Sequence, residues 1–499
     1  MRLRQKCLPY PWRVEWGFYG RARELQELRE ILERDRWFFA RITGRRRIGK
    51  TTLVQQALRA RPTRPILYVQ VPDSAPAGVL SAVRDAMDTF EVPEDAYPRP
   101  NSLLALAQTV GTLVENGYVV ALDEFQYFSR KHLSAFNSFL QAVVDDLAAR
   151  ASAVRGGLIV LGSLHAKLVA LLEDRDAPLY QRATDHLELQ HLDVASLLAL
   201  LDAHADRDPM RLLHLWNLFE GVPKFYRDAF EQGVLRADRR TVVARMFFRS
   251  SSPLRSEAEH WFLSELRGRY DVLLKFVARH PGASNADIEA HVRHLSPETS
   301  EQVGGYLRVL VEKYRMIERR NPIFATPRAR RGRYYLRDNF LRSWLGALQS
   351  AVASVNFRTE SVLVERADDG LKNLEGHALE RLVGQLYEER SRDGIGDFRL
   401  TRRIDGYWDR GDNEIDLVAV DEDDRRLRFA TCKREAAKLL ADVPRLRAHV
   451  ARFLAAQRSY RDWTIEFVAL APRLDATTRR ELASAGVVPQ DLHGLTADM

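Results

Sequence analysis

Cysteine is almost missing from this chain: Cys7 and Cys432 are the two among 499 residues. So small a supply excludes a disulfide framework and a Cys-rich zinc module. Long hydrophobic runs are missing as well. The uncharged stretch 100–114 contains Asn101, Gln108 and Thr109 and stops at Glu115. That falls short of the ~18 apolar residues a bilayer-spanning helix needs, so no membrane partner is expected. The opening MRLRQKCLPYPWRVEW is basic but lacks the apolar segment of a secretory leader, which points to the cytoplasm. A large excess of one charge is also absent. Lys plus Arg number 76 against 68 Asp plus Glu, a net +8, which is mild for 57.3 kDa. With 45% hydrophobic and 29% charged residues, the composition excludes a mostly disordered chain. At roughly 150 residues per domain the length suggests about three domains. No internal repeat or low-complexity tract interrupts them.

What is present is a change of pattern along the chain. From residue 20 to 200, short β-branched or apolar runs (37–43, 66–71, 118–122, 158–162) alternate with helical patterns (24–32, 76–87, 131–150). Strands alternating with helices predict a parallel sheet covered on both faces. Residues 195–265 read as helices. Residues 270–278, 286–292 and 300–312 read as three short helices, and 314–324 and 332–336 as two strands joined by an Arg-rich turn. That is the order of a winged helix-turn-helix. Residues 372–499 read as a last αβββαβ-like unit, with an amphipathic helix at 375–389 and strands at 398–404, 413–420 and 427–432. A helix at 438–457 and a buried strand at 464–471 complete it.

The strongest local signal is Gly44-Arg45-Arg46-Arg47-Ile48-Gly49-Lys50-Thr51, followed by Thr52. It fits G-x-x-x-x-G-K-[ST] and lies between a predicted strand and a predicted helix. Glycines let the backbone wrap closely and aim N–H groups at phosphate oxygens, and the helix N-terminus adds its dipole. Lys50 then reaches the β- and γ-phosphates of ATP, and the Thr51 hydroxyl ligates Mg²⁺. Some 70 residues on, Tyr118-Val119-Val120-Ala121-Leu122-Asp123-Glu124 is an apolar strand ending in two carboxylates. Asp123 suits the Mg²⁺ shell, and Glu124 suits activation of the attacking water.

At these residues the chain resembles the archaeal-type ATPases of the AAA+/STAND group of P-loop proteins. Phe18-Tyr19-Gly20-Arg21-Ala22-Arg23-Glu24-Leu25 is similar to the family's F-x-G-R-x-x-E-L opening. Ala177-Pro178-Leu179-Tyr180-Gln181-Arg182 is similar to its S-P-L-Y-G-R, with Ala177 and Gln181 departing from it. Glu220-Gly221-Val222-Pro223-Lys224-Phe225-Tyr226 is similar to its G-G-V-P-K-Y-Y. The resemblance implies that Ser163 is a sensor of the γ-phosphate, that Pro223 packs near adenine and that Arg21 lies near the base. It implies for Arg182 an arginine finger or an in-chain sensor, the alternative being a structural salt bridge. A finger acting between subunits would require a homo-oligomer.

Charge concentrates in one place. Residues 311–340 hold nine basic and three acidic residues, a field that attracts polyanions such as double-stranded DNA. Arg308, Lys313 and Arg315 on the third helix and its exit, and Arg328, Arg330, Arg331 and Arg333 in the wing turn, are the expected contacts. The alternative is a protein-interaction module or regulatory lid, its arginines set against acidic surfaces of the chain's own ATPase domain. Further on, the segment 413–419 (NEIDLVA) and Thr431-Cys432-Lys433 resemble the PD-(D/E)xK nuclease fold. That resemblance implies that Asp416, Lys433 and the helix acid Glu380 converge on a metal. The family's E-C-K here reads T-C-K, and a hydroxyl is a poorer ligand for a hard cation than a carboxylate. Glu414 and Glu435 are the nearby acids, neither at the matching position.

The expected fold is therefore α/β: a P-loop ATPase with an ASCE-type parallel sheet (1–195), a helical lid (196–265), a winged helix (266–345), a linker (346–371) and a PD-(D/E)xK-like domain (372–499). The expected function is an ATP-hydrolysing, Mg²⁺-dependent switch that binds DNA. An ATP-regulated nuclease and a non-catalytic nucleotide-sensing scaffold for a protein partner are the alternatives.

Overall fold

The computed structural model describes residues 15–59, 64–162, 165–258, 269–295, 302–326, 329 and 331–499. The described residues form two compact units: those within 21–191, and those within 192–499 together with 15–20.

In the first unit, helix α1 (Ala22–Glu33) is followed by β1 (Phe38–Gly44), α2 (Lys50–Arg59), β2 (Ile66–Gln70), α3 (Pro76–Thr89) and α4 (Leu103–Glu115). Then come β3 (Val119–Asp123), α5 (Ala135–Ala149), β4 (Gly157–Gly162), α6 (His165–Leu172) and β5 (Asp185–Leu189). The five strands are all parallel, in the order β2-β3-β4-β1-β5. Every residue of β3 and β4 is buried, as expected of strands with helices on both faces. The core joins Phe39, Val120, Leu122, Leu158 and Val160 of the sheet to Val83 of α3, Leu113 of α4 and Leu140 of α5. One consequence of the strand order matters for function. β4 lies between β1 and β3, so the turn after β1 and the acidic end of β3 face each other across one strand, at the carboxyl edge where open α/β sheets bind ligands.

The second unit begins with helices α7 (Val194–His204), α8 (Pro209–Phe219), α9 (Pro223–Glu231) and α10 (Arg239–Val243). Helices α11 (Arg269–Arg279), α12 (Asn285–Leu295) and a third at Val303–Glu312 follow. They accompany a small antiparallel sheet of β6 (Ala283–Ser284), β8 (Arg333–Leu336) and β7 (Ile317–Arg320), in that order. A 33-residue helix, Glu360–Arg392, leads into a five-stranded sheet ordered β13-β12-β11-β10-β9. Its strands are β9 (Asp405–Trp408), β10 (Glu414–Asp421), β11 (Arg426–Cys432), β12 (Thr464–Ala471) and β13 (Val488–Asp491). β9, β10 and β11 pair antiparallel, and β11, β12 and β13 pair parallel, with the helix Leu439–Ala456 between β11 and β12.

Within the stretch expected to link domains, 346–371, the long helix starts at Glu360. Gly370 serves a close helix contact there: a Cβ would stand 2.8 Å from the Cβ of Ala347. The strand expected at 398–404 is irregular, and the edge strand is Asp405–Trp408 instead. Phe398 lies beneath the guanidiniums of Arg428 (4.6 Å) and Arg426 (5.1 Å), and Leu400 N–H donates to Ser391 Oγ at 2.8 Å. Local partners thus take the groups a ladder would need.

Candidate functional site

The turn 44–49 follows β1, and Lys50 opens α2. Its backbone uses positive φ three times, at Gly44 (φ 146°), Arg47 (φ 66°) and Gly49 (φ 97°). Glycine is required at 44, since a Cβ would stand 2.7 Å from the Leu189 carbonyl oxygen. Ile48 is buried and anchors the turn. Lys50 is buried too, and its ammonium donates to the carbonyls of Gly44 (2.9 Å) and Arg45 (3.0 Å). Burial pushes the Lys50 ammonium down to about 8, opposed by the carboxylates of Glu124 and Asp123. A desolvated cation held by carbonyl dipoles is suited to an arriving anion.

Thr51 and Asp123, 72 residues apart, meet directly: Thr51 Oγ1 donates to Asp123 Oδ2 at 2.6 Å. Asp123 is buried at the end of β3, and its Oδ1 accepts the Glu124 N–H at 2.7 Å. Glu124 takes a left-handed conformation, φ 57°, and accepts from the Gln126 side chain. Sequence reasoning missed two groups here. Tyr68 on β2 donates its phenol to the same Asp123 oxygen that Thr51 uses, and burial, then Asp123, push its pKa upward. Gln126 is the other. Gln126 lies in the family-like segment 122–128 without an assigned role, and no motif marks Tyr68, because strand order alone puts it beside Asp123: Gln70 is paired with Asp123, two residues along β2.

The other predicted residues divide. Arg21 is the residue expected near the base. It is buried in a left-handed turn, with its guanidinium on the carbonyls of Ile48 (3.3 Å) and Gln190 and on Glu24 (2.7 Å), so it braces the turn from beneath. Arg46 and Thr52 are exposed, and Arg45 and Arg47 half-buried. Arg182 forms a bidentate pair with Asp145, Nε to Oδ1 at 2.7 Å and Nη2 to Oδ2 at 3.0 Å, the salt-bridge alternative to a finger. Ser163, Arg328 and Arg330 lie outside the described residues. Pro223 is the first residue of α9, in the second unit.

Of the two wing arginines among the described residues, Arg333 has its side chain engaged in-chain and Arg331 is exposed. Arg333 makes a fork to Glu414 (2.6 and 3.2 Å) and lies over the Trp408 ring at 4.7 Å. Trp408 Nε1 donates to the Arg331 carbonyl at 2.8 Å, and Ile323 N–H donates to the Gly406 carbonyl at 2.9 Å. Ile323 and Phe324 pack into the core of the C-terminal sheet with Phe453. The described residues flanking the turn thus meet β9 and β10, through Ile323, the Arg331 carbonyl and the Arg333–Glu414 pair. Arg308, Lys313, Arg315 and Arg331 are exposed.

The C-terminal cluster gathers around β10. The β9–β10 register shifts between Ile415 and Val418, and Asp416 lies at that bulge, the kind of irregularity that re-aims a side chain. Asp416 Oδ2 accepts Cys432 N–H at 2.8 Å and is 3.5 Å from Lys433 Nζ. The helix Leu439–Ala456 brings a carboxylate that sequence reasoning did not single out. Asp442 Oδ2 accepts from Thr431 Oγ1 at 2.5 Å and lies 3.2 Å from Lys433 Nζ. Burial works against the Lys433 charge, but Asp416 and Asp442 hold its pKa above the ordinary value. Glu380 and Asp416 both line a cavity of about 230 Å³, with Tyr335, Trp408 and Glu414 also on its wall. Burial, then Asp416, push the Glu380 carboxyl well up. Cys432 is buried and its thiol is pushed up by burial and by Asp416, so it packs rather than reacts.

Residues 344–441 match the DUF234 family, described as archaea bacterial proteins of unknown function. An uncharacterized protein of Methanocaldococcus jannaschii is 22% identical over 450 residues, covering 86% of this chain and 91% of that protein. The Walker-type ATPase PABY2304 of Pyrococcus abyssi superposes with a TM-score of 0.51 at 17% identity, over 66% of this chain and 96% of the other. The ORC2 protein of Aeropyrum pernix, solved in ADPNP–ADP complexes, superposes with a TM-score of 0.42 at 16% identity, over 74% and 96% of the two chains. The chain thus has the fold of an archaeal-type P-loop ATPase, with a second α/β domain later in the sequence. No described helix is long and apolar enough to cross a membrane.

Proposed function

We propose that the first unit binds and hydrolyses ATP and that its nucleotide state is read out by the second. The observation that carries this is the Thr51–Asp123 hydrogen bond of 2.6 Å at the mouth of the turn that buries Lys50. Backbone N–H groups of 44–51 and the Lys50 ammonium would bind the β- and γ-phosphates. Thr51 and Asp123, two hard oxygen donors already side by side, would hold Mg²⁺, which when bound neutralises phosphate charge. Glu124 would take the proton of the attacking water while the bond to the leaving β-phosphate oxygen breaks, giving ADP and inorganic phosphate. Tyr68, Gly49 and Arg21 act on geometry: the phenol fixes the Asp123 carboxylate, Gly49 permits the turn and Arg21 supports it from below. Glu124→Gln is expected to bind ATP normally and to lose about 10²-fold or more in turnover. Normal binding with no turnover in the wild-type chain would leave only the nucleotide-sensing scaffold.

For the second unit, the exposed Arg308, Lys313 and Arg315 support duplex DNA binding by the third helix and its exit. The module is read as a winged helix whose wing is docked on its own C-terminal domain. One observation favours a nuclease as a second reading: Asp442 stands where Thr431 left the T-C-K motif without an acid. Asp416 and Asp442 would hold the divalent cation, and Lys433 would assist water in phosphodiester cleavage. Plasmid nicking with Mg²⁺ or Mn²⁺ tests it; no cleavage under any nucleotide would leave the domain a docking module.

A further inference from the structure

Gln126 is 1% exposed, one turn beyond the acidic end of β3. A wholly buried amide is costly unless its donors and acceptors are met. Here Nε2 donates to Glu124 Oε2, while Oε1 is buried without a hydrogen-bond partner among the described residues. The orientation follows from chemistry, since only the NH₂ end can donate to a carboxylate. Oε1 instead lies against Gly162, the last residue of β4, where an added Cβ would stand 2.8 Å from it. A side chain at 162 would crowd this amide oxygen and, at 2.9 Å, the Leu168 side chain.

The backbone is arranged around the same contact. Glu124 adopts φ 57°, a conformation that non-glycine residues rarely hold unless their surroundings enforce it. The enforcement is visible. Phe125 and Phe128 are fully buried, with ring centroids 5.2 Å apart, and they lock the short helix Phe125–Ser129. Its first turn returns Gln126 beneath the Glu124 carboxylate. A left-handed acid, a half-satisfied buried amide and a glycine that makes room are three local costs meeting at one carboxylate.

We propose that Gln126 is the positioning residue for Glu124, holding its carboxylate in the orientation for accepting the proton of the attacking water and keying it to the end of β4. The proposal rests on the hydrolytic reading above. Its side-chain bond is to Glu124, so it acts through that carboxylate.

The test is a double-mutant cycle on the full chain, measuring steady-state ATP hydrolysis and, separately, the affinity for ATP·Mg²⁺ by calorimetry. Gln126→Ala is expected to lower kcat on the order of 10- to 100-fold, the scale of a misplaced catalytic group, with KM and ATP affinity within about twofold. Gly162→Ala, on another strand, should lower kcat in the same way. The double variant should be no slower than Gln126→Ala, because both act through one amide. An unchanged kcat in Gln126→Ala, or losses that multiply in the double variant, would overturn the proposal while leaving ATP hydrolysis intact. Should Gln126→Ala fail to fold, Gly162→Ala against Gly162→Ser decides alone: falling kcat at constant affinity supports the linkage, and unchanged kcat in both removes it. A wild-type chain that binds ATP·Mg²⁺ without turning it over overturns the hydrolytic reading itself, and this proposal with it.

Discussion

Lys50 and Lys433 stand in regions of similar plan and opposite electrostatic state. Each follows a strand of a central sheet and lies near a strand-borne aspartate. Lys50 is held by two main-chain carbonyls, and burial drives it down to about 8. Lys433 is held between the carboxylates of Asp416 and Asp442, which drive it up. The difference teaches what each pocket lacks. Around Lys50 the carboxylates of Glu124 and Asp123 do not offset burial, so a further anion would be favoured in this first pocket. The second has its cation already neutralised by two acids, so a metal there would have to compete with Lys433 for the same oxygens. A phosphate pocket can be poised in advance by one contiguous motif, whereas the mixed-charge cluster depends on three elements meeting.

The comparison breaks most sharply on removing each lysine. Lys50→Ala is expected to abolish ATP turnover, a loss on the order of 10³-fold, while Lys433→Ala leaves it unchanged; radiometric phosphate release reads both. Equal loss in the two would mean that the sites are not separable in this way. Next, Asp416→Ala and Asp442→Ala should each remove metal-dependent nicking of supercoiled plasmid, by roughly 10²-fold. Nicking retained in Asp442→Ala alone would return the helix acid to a structural role.

The pH dependence sharpens the contrast. A lysine depressed to about 8 binds its proton in the free chain only below that pH, while phosphate binding restores it. ATP affinity should therefore be flat below about pH 8 and weaken by up to about tenfold per unit above it. Stability of the nucleotide-free chain runs the other way from this group. The unfolded chain holds the lysine proton more tightly between about 8 and the ordinary value of 10.5, so the cost of the buried charge is relieved as pH rises through that window. An affinity independent of pH from 7 to 9.5 would contradict the burial of Lys50. The smallest effects concern the wing. Arg308→Ala should weaken duplex binding and reduce its salt slope by about one. Arg333→Ala should leave the slope unchanged and cost less than about 1 kcal/mol, since its pair with Glu414 is partly exposed. Equal slopes lost at both would put the wing back on the nucleic acid.

Much of the first unit is legible in its residues alone, because its signals are local. An apolar run needs no partner to be recognised as a buried strand, and residues 44–51 form a contiguous turn whose glycines constrain the backbone directly. The helix at 360–392 is only half legible, since Gly370 looks alike whether it ends a helix or lets Ala347 approach. The strand expected at 398–404 fails because Phe398 and Leu400 find guanidinium and hydroxyl partners outside any ladder. Arg333 and Arg182 show their charge in the sequence, but charge does not say which carboxylate each will find.

By itself, then, the order of residues determined the alternation of strands and helices, the glycine-bounded turn 44–49, the lysine after it and the two acids that end β3, since those follow from periodicity and backbone sterics over a few residues. Only the tertiary structure decided that Tyr68 shares an oxygen with Thr51, that Gln126 lies between Glu124 and Gly162, that Asp442 reaches Thr431 and that Arg333 pairs with Glu414. Except for the Glu124–Gln126 bond, these are pairings between groups far apart in the chain. Hydrogen bonds and ion pairs act over about 3 Å of space, and nothing in a linear order of side chains records which of them a fold will bring to that distance.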